Sequence, residues 1–210
     1  YLGGKLSEVM VTSMGLDGTK NFLVLLVSLV VGAACAGLCG FIIGLPALRL
    51  KGDYLAIVTL AFGEIVRVIF TNADSFGGAQ GMGTPRFDRK YLFIIGLALV
   101  LATIAIVQNL LRSKHGRAIT AIRDNEIAAR ATGINVTKYK LLVFTVSSFF
   151  AGVAGVLYSF SNYTVQSIKF NYNYSIEILV MVVLGGMGSI NGSIIAAALI
   201  TFLDVKLQTI

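Results

Sequence analysis

Long apolar stretches alternate with shorter polar ones along this chain. Five apolar segments lie at 21–48, 54–70, 91–111, 141–161 and 176–203. A helix needs about 20 apolar residues to cross a bilayer, and backbone inside lipid must satisfy its hydrogen bonds internally. The pattern therefore predicts an all-α, polytopic membrane protein with about five apolar segments, some of them broken or re-entrant helices.

Composition supports this class. Hydrophobic residues make up 56% of the chain and charged residues 13%, with a mean hydropathy of +0.84; soluble domains carry about 25% charged residues. The formal charge of +7 does not indicate nucleic-acid binding, because the basic residues flank apolar segments. Cys35 and Cys39 are expected to be small packing residues. With His115 as the single histidine, we expect no metal site.

Two apolar segments have unusual features. Residues 21–48 would form a helix of about 40 Å, longer than a hydrocarbon core of about 30 Å, so we expect it to tilt, project or break near Gly44–Pro46. Residues 54–70 contain Glu64 and Arg67, whose i, i+3 spacing allows an intramembrane charged pair. This segment is consistent with a tilted span, a broken span or a re-entrant helix.

Small residues form two ridges that favour close helix packing in lipid. The first ridge consists of Gly32, Ala36, Gly40 and Gly44, and the second of Ser148, Gly152, Gly155 and Ser159. A glycine-rich loop at 71–90 is expected to lack regular structure. A further glycine-rich stretch, 185–193, interrupts the last apolar segment, which predicts either a discontinuous transmembrane helix or a turn between two short helices.

The polar segment 112–140, called the basic island below, carries seven Lys or Arg residues against Asp124 and Glu126. Such an excess beside spans marks the cytoplasmic face. With 71–90 and 162–175 outside, inner segments carry nine basic residues and outer segments six; if 54–70 does not cross, the N-terminal part inverts. The island also predicts a short helix at 124–132, with acidic residues first, Arg130 near the end and Gly133 just beyond.

Three stretches, 45–67, 116–159 and 175–199, resemble the LivM-type membrane permeases of branched-chain amino-acid ABC importers. The resemblance implies one permease domain over 1–210, with 112–140 as the cytoplasmic coupling loop and further helices beyond both ends. It implies a sister permease, two cytoplasmic ATP-binding subunits and an extracytoplasmic substrate-binding protein as partners, in a bacterial or archaeal plasma membrane. The chain itself would be no enzyme and need no cofactor, since ATP and Mg²⁺ belong to the partner ATPases.

The resemblance also implies residue roles. ABC importer permeases carry an EAA-x3-G pattern in the coupling helix, and aligning it on Gly133 places Glu126 one position early. The expected ATPase-coupling residues are Asp124, Glu126, Ala128, Ala129, Arg130 and Gly133. The expected part of the substrate path is Gly185, Gly186, Gly188, Ser189 and Asn191.

Other functions stay open at this point. Within the importer class, the alternative substrate is urea or a short amide. A self-sufficient secondary transporter would need an ion or proton site across several spans, and the fact that only Glu64 and Arg67 lie well within an apolar segment argues against it. For Glu64, pairing with Arg67 is favoured over a proton relay or a contact with the substrate amine. For Glu177, stabilisation of the start of a helix near Ser175 is favoured over the same relay or amine-contact role. A membrane enzyme is disfavoured, because the sequence holds no HExxH motif and no nucleophile–base set.

Overall fold

A computed structural model of the chain describes residues 1–14, 22–48, 50, 53–84, 87–162 and 164–207. Within these ranges the helices are α1 Leu2–Met14, α2 Phe22–Ala47, α3 Asp53–Asn72, α4 Arg89–Arg112, α5 Lys114–Asp124, α6 Glu126–Ala131, α7 Val136–Ser161, α8 Tyr172–Gly185 and α9 Ile190–Leu207. Two short strands are β1 Met82–Gly83 and β2 Thr164–Val165, and 3₁₀ helices cover Asp74–Phe76, Gly78–Gln80 and Ser167–Lys169.

Among the described residues, five helices are long and apolar enough to cross a membrane: Phe22–Ala47, Tyr54–Asn72, Arg89–Arg112, Val136–Ser161 and Ile190–Leu207. The predicted class, a polytopic all-α membrane protein, is confirmed. Of the two alternatives for the last apolar segment, the structure has the turn between two helices: α8 and α9 are separate, joined by a short turn and packed against each other. α8 begins at Tyr172 rather than near Ser175, since Asn171 Oδ1 accepts the Tyr174 N–H at 3.1 Å. Glu177 therefore lies beyond the first turn of α8.

The first apolar segment does not break at Gly44–Pro46. α2 continues to Ala47, and the Leu48 N–H still donates to the Gly44 carbonyl at 3.0 Å. A proline inside a helix removes the hydrogen bond of its own N–H. Here that loss falls in the last turn, where the helix is about to end. Of the charged residues near this end, Arg49 and Lys51 lie outside the described residues.

α2 and α7 pack side by side along the first predicted ridge and along part of the second, because a Cβ on Gly155 would meet no atom within 4 Å. A Cβ added to Gly152 would lie 2.5 Å from Ala36 Cβ and 3.0 Å from Ala33 Cα. Towards the other end of the pair, Gly44 faces Leu141 and Phe144. Position numbers thus rise along α2 as they fall along α7, so the two helices are antiparallel. The small residues allow the backbones to approach this closely.

The loops 71–84 and 164–170 meet at one end of the bundle, called the loop end below. β1 and β2 pair antiparallel, with Met82 opposite Val165, and Thr71 Oγ1 lies 2.8 Å from Ser167 Oγ. The expectation of an irregular 71–90 loop is therefore wrong in part. Gly77, Gly78 and Gly81 adopt positive φ values of 80°, 53° and 86°, which allow tight turns between short regular elements.

The basic island lies at the opposite end, the island end. Leu48, after α2, and Leu55, at the start of α3, line one cavity with Ile122 of α5 and Lys140 of α7. α3 therefore starts at the island end and finishes at the loop end, where Thr71 contacts Ser167. This places 54–70 as a helix that runs the full length of the bundle.

Candidate functional site

The basic island folds as two helices rather than one. α5 ends at Asp124, and Asn125 adopts an extended conformation with φ −154° and ψ 103°. Asn125 Oδ1 accepts hydrogen bonds from the N–H groups of Ile127 and Ala128, each at 3.0 Å, and so caps α6. The prediction of a single helix over 124–132 is wrong at its start. Asp124 is the last residue of α5, because the chain turns at Asn125.

The end of α6 is closed by Gly133, as the sequence predicts. Gly133 has φ +84°, and its N–H donates to the Arg130 carbonyl at 3.0 Å. The Ile134 N–H donates to the Ala129 carbonyl at 3.1 Å, and Ile134 packs on the cluster that contains Ala129. These two bonds and the apolar contact constitute a Schellman motif. α6 is thus fixed at both ends despite being only six residues long.

Glu126 joins α6 to the base of α7. Its Oε1 accepts a hydrogen bond from Arg130 Nη2 at 2.6 Å, and its Oε2 accepts one from Lys140 Nζ at 2.7 Å. The hydrogen bond from Lys140, with further help from Arg130, lowers the pKa of the Glu126 carboxyl group below its ordinary value. Lys140 is a site residue that sequence analysis missed, because its separation of 14 residues from Glu126 follows no helical spacing.

One face of α6 is buried and the other is open. Ala129 is 3% exposed and packs with Ile122 of α5 and Val136 of α7. Ile127, by contrast, is 82% exposed, and Ala128 and Arg130 are also exposed. α6 thus presents a partly apolar face that the rest of the described chain leaves open.

The glycine-rich turn between α8 and α9 lies at the island end. Gly186 and Gly188 have φ values of 93° and 125°, and a Cβ added to Gly188 would lie 2.7 Å from Nη1 of Arg123. Ser189 Oγ accepts the Gly192 N–H at 3.1 Å, while Asn191 lies in the first turn of α9. Gly185 is the last residue of α8 and contacts Ser193. The structure thus brings the predicted path residues next to α5, at the end of the bundle rather than halfway through a span.

Glu64 and Arg67 form an ion pair on α3, with Arg67 Nε 2.7 Å from Glu64 Oε2. Their side chains are 33% and 28% exposed, respectively. Glu64 Oε1 also accepts the Tyr172 N–H at 3.1 Å, so this carboxylate lies at the start of α8. The pair thus connects α3 to α8, a contact that a reading of local sequence cannot find.

Within the part of the chain that the structure describes, no group of three or more His, Cys, Asp or Glu residues is placed to hold a metal ion. Arg123, which sequence analysis did not single out, is bonded to Asp124 through Nε and Nη2 at 3.0 and 2.9 Å. It therefore links the last residue of α5 to the turn that contains Gly188.

Comparison with known proteins identifies the protein family that this chain matches. It matches the family model of the permease component of branched-chain amino acid transport systems over residues 1–210. It is 39% identical to the high-affinity branched-chain amino acid transport system permease protein LivM of Salmonella typhimurium, across 77% of this chain and 46% of that protein. It is 31% identical to the probable LivM permease of Methanocaldococcus jannaschii, across 85% of this chain and 55% of that protein.

Relatives with lower identity include permeases that are named for sugar import. The ribose import permease protein RbsC of Haemophilus influenzae is 28% identical across 89% of this chain and 61% of its own length. The chain spans about half the length of the LivM relatives described above. No solved structure matches it. The match over the whole chain, together with the identity to LivM proteins, shows that this chain belongs to the family of branched-chain amino acid transport permease components.

Proposed function

We propose that this chain is the membrane permease subunit of an ATP-driven importer for branched-chain, aliphatic amino acids in a bacterial or archaeal plasma membrane. The observation that carries the proposal is α6: a short helix capped at both ends, anchored on its inner face and open on its outer face. A helix of this kind is suited to receive force from a soluble partner. The basic residues around it favour the cytoplasmic side.

The coupling route follows from the contacts of α6. Glu126 joins α6 to Lys140 of α7, and α7 packs along α2. A displacement of α6 by ATP-binding subunits would thus act directly on the α2–α7 pair. The small residues at that interface would allow one helix to shift against the other. Through Arg123, the same motion would reach the turn at Gly188.

The partners proposed are a sister permease, two cytoplasmic ATP-binding subunits that hold ATP and Mg²⁺, and an extracytoplasmic substrate-binding protein. α3 and α4 have wide apolar surfaces that the described part of the chain leaves exposed, including Ile57, Ile69, Phe93 and Leu101. Lipid and the sister permease would cover them, because a water-exposed apolar surface of this extent is unfavourable.

Branched-chain amino acids are favoured over sugars as the substrate. The LivM relative from Salmonella typhimurium is 39% identical to this chain, and the ribose permease is 28% identical. The second candidate function is therefore sugar import by the same architecture. Urea or a short amide remains an alternative within the amino-acid and amide group of importers.

Affinity purification of the full-length chain from its native membrane tests this proposal. We expect a sister permease and two ATP-binding subunits to co-purify in mild detergent. The associated binding protein should bind leucine rather than ribose when measured by calorimetry. A chain that purifies alone and moves solute in liposomes without ATP would instead be a secondary transporter.

A further inference from the structure

A partly open cavity at the loop end lies between Tyr1, α3, α7 and the segment from Val165 to Phe170. Its volume is about 230 Å³, somewhat below the range of about 300–1,000 Å³ typical of pockets for drug-sized ligands. Apolar groups form most of its wall, including Val66, Phe70, Val165 and Phe170. Of its polar lining residues, Tyr1, Arg67 and Ser167, Arg67 has the charged side chain. The space therefore suits a small solute with an apolar body and one anionic group.

Arg67 is held in place by its ion pair, but not all of its N–H donors are used. Its Nε donates to Glu64 Oε2 at 2.7 Å, and within the described part of the chain its two Nη groups make no hydrogen bond. A guanidinium group can bind a carboxylate through two parallel N–H donors. Glu64 is fixed in turn by the Tyr172 N–H. The pair as a whole is neutral, so it matches a zwitterion better than it matches a free anion or cation.

Two glycines keep the cavity open. Gly63 of α3 and Gly155 of α7 both line it, and a Cβ added at either position would meet no atom within 4 Å. Gly152, one turn earlier on α7, is crowded by α2. The glycine at 155 is thus not required for helix packing, and a side chain at 63 or 155 would occupy the space inside the cavity.

From this geometry we infer that the cavity is a substrate-binding site for an aliphatic amino acid. Arg67 binds the substrate carboxylate, Glu64 positions Arg67 through their ion pair, and the apolar wall with Gly63 and Gly155 receives the side chain. The inference rests on the proposed function. Because Val165, Ser167 and Phe170 border the cavity, the site lies at the loop end. In the proposed orientation, that is the side from which substrate is delivered.

The site is tested in the native assembly, with the full-length chain reconstituted in liposomes with ATP. Gly63→Leu and Gly155→Leu fill the cavity, and Gly96→Leu is the matched control, because a Cβ on Gly96 of α4 also meets nothing within 4 Å. Leucine favours helix more than glycine does, so none of the three changes weakens its helix. The probe is a diazirine analogue of leucine, with cross-linked peptides identified by mass spectrometry.

In the wild-type assembly, we expect the probe to label the peptide that contains residues 63–70. Excess leucine should reduce this labelling, whereas excess ribose should not. Both cavity-filling variants should lose this labelling and most leucine uptake, while Gly96→Leu retains both. Arg67→Gln should reduce uptake by about 10-fold or more, the effect of losing a charge-assisted hydrogen bond. If the wild-type assembly takes up leucine and the Gly63→Leu and Gly155→Leu variants transport it equally well, the proposed site is overturned and the proposed function is not. A wild-type assembly that does not take up leucine would overturn the proposed function as well.

Discussion

Among single residues of the basic island, Glu126 is the one whose side chain joins α6 to α7. It accepts hydrogen bonds from Arg130 on its own helix and from Lys140 on α7, and it lies in the first turn of α6, where a negative charge is favourable. Each exposed ion pair contributes little by itself. Together they fix the position of α6 relative to α7, which is what a coupling helix requires.

The lowered pKa of Glu126 predicts how the island responds to acid. A depressed carboxyl pKa stabilises the folded form above the ordinary value of 4.5, and this contribution is lost as pH falls through the folded-state pKa. Hydrogen-exchange protection of 126–134, corrected for intrinsic rates, should be constant above pH 5 or so and fall below about pH 4. In Glu126→Gln, protection should be lower at neutral pH and lack this acid-dependent step. An identical pH profile in that variant would contradict the assignment.

Gly133 provides a second test at this scale. Its φ of +84° is unfavourable for residues with a side chain, yet a Cβ there would meet no neighbouring atom. Gly133→Ala should therefore cost about 1–2 kcal/mol through backbone strain alone, seen as faster hydrogen exchange at the end of α6. Gly133→Asn is the matched control, since asparagine tolerates this conformation better. Equal effects of the two substitutions would argue against a strained cap.

At the scale of elements, the contact between α2 and α7 organises the bundle. Both helices bring small residues to the interface, and Gly152 is the most closely surrounded on α7, with Ala33, Ala36 and the Gly32 carbonyl around it. Apolar association gains little in lipid, where the surrounding chains are equally apolar. The stability of this pair therefore depends on close packing.

Gly152→Val should weaken this interface by about 1–3 kcal/mol, the usual cost of overpacking. The added side chain would meet backbone atoms of α2 at about 3.0 Å, which cannot move aside easily. Gly155→Val is the matched control for stability, because it places the same side chain on the same helix in open space. Thermal unfolding in detergent should show a lower midpoint for Gly152→Val than for Gly155→Val. Similar midpoints would mean that the ridge does not support packing.

The elements also show which features local sequence can predict. Apolar length and small-residue spacing were enough for the spans and for the ridge at Gly32–Gly44. The start of α6 was not predictable, because Asp124, Asn125 and Glu126 are all reasonable helix-start residues in a row. The burial of Ala129 against Ile122 and Val136 is consistent with Asn125 as the N-cap of α6. Likewise, the β1–β2 pairing joins two-residue strands far apart in the sequence, too short to give a pattern.

At the scale of the whole molecule, the bundle has two chemically different ends. The loop end holds the β1–β2 pair and the Glu64–Arg67 cavity, and the island end holds α5, α6 and the glycine-rich turn. α3 connects the two. Sequence charge alone did not decide whether α3 crosses the membrane, because nine basic residues in the inner segments against six in the outer segments is a weak bias. Several of these basic residues also lie outside the described residues.

Cysteine labelling tests this arrangement. In a full-length chain with Cys35 and Cys39 replaced by alanine, single cysteines would be placed at Tyr54, Ser75 and Ile127, all of which are exposed. A membrane-impermeant maleimide applied to intact cells should label position 75. Positions 54 and 127 should react only after the membrane is permeabilised. Labelling of 54 and 75 from the same side would show that α3 does not cross.

Leucine uptake into liposomes that contain the native assembly decides whether ATP drives this permease through α6. We predict uptake that requires ATP and is abolished by Ile127→Asp, because the exposed apolar tip of α6 would lose its contact with the ATPase. Thr137→Asp, an equally charged change at another exposed island position, should transport as wild type does. Leucine uptake without ATP, or full ATP-driven uptake in Ile127→Asp, would contradict the account.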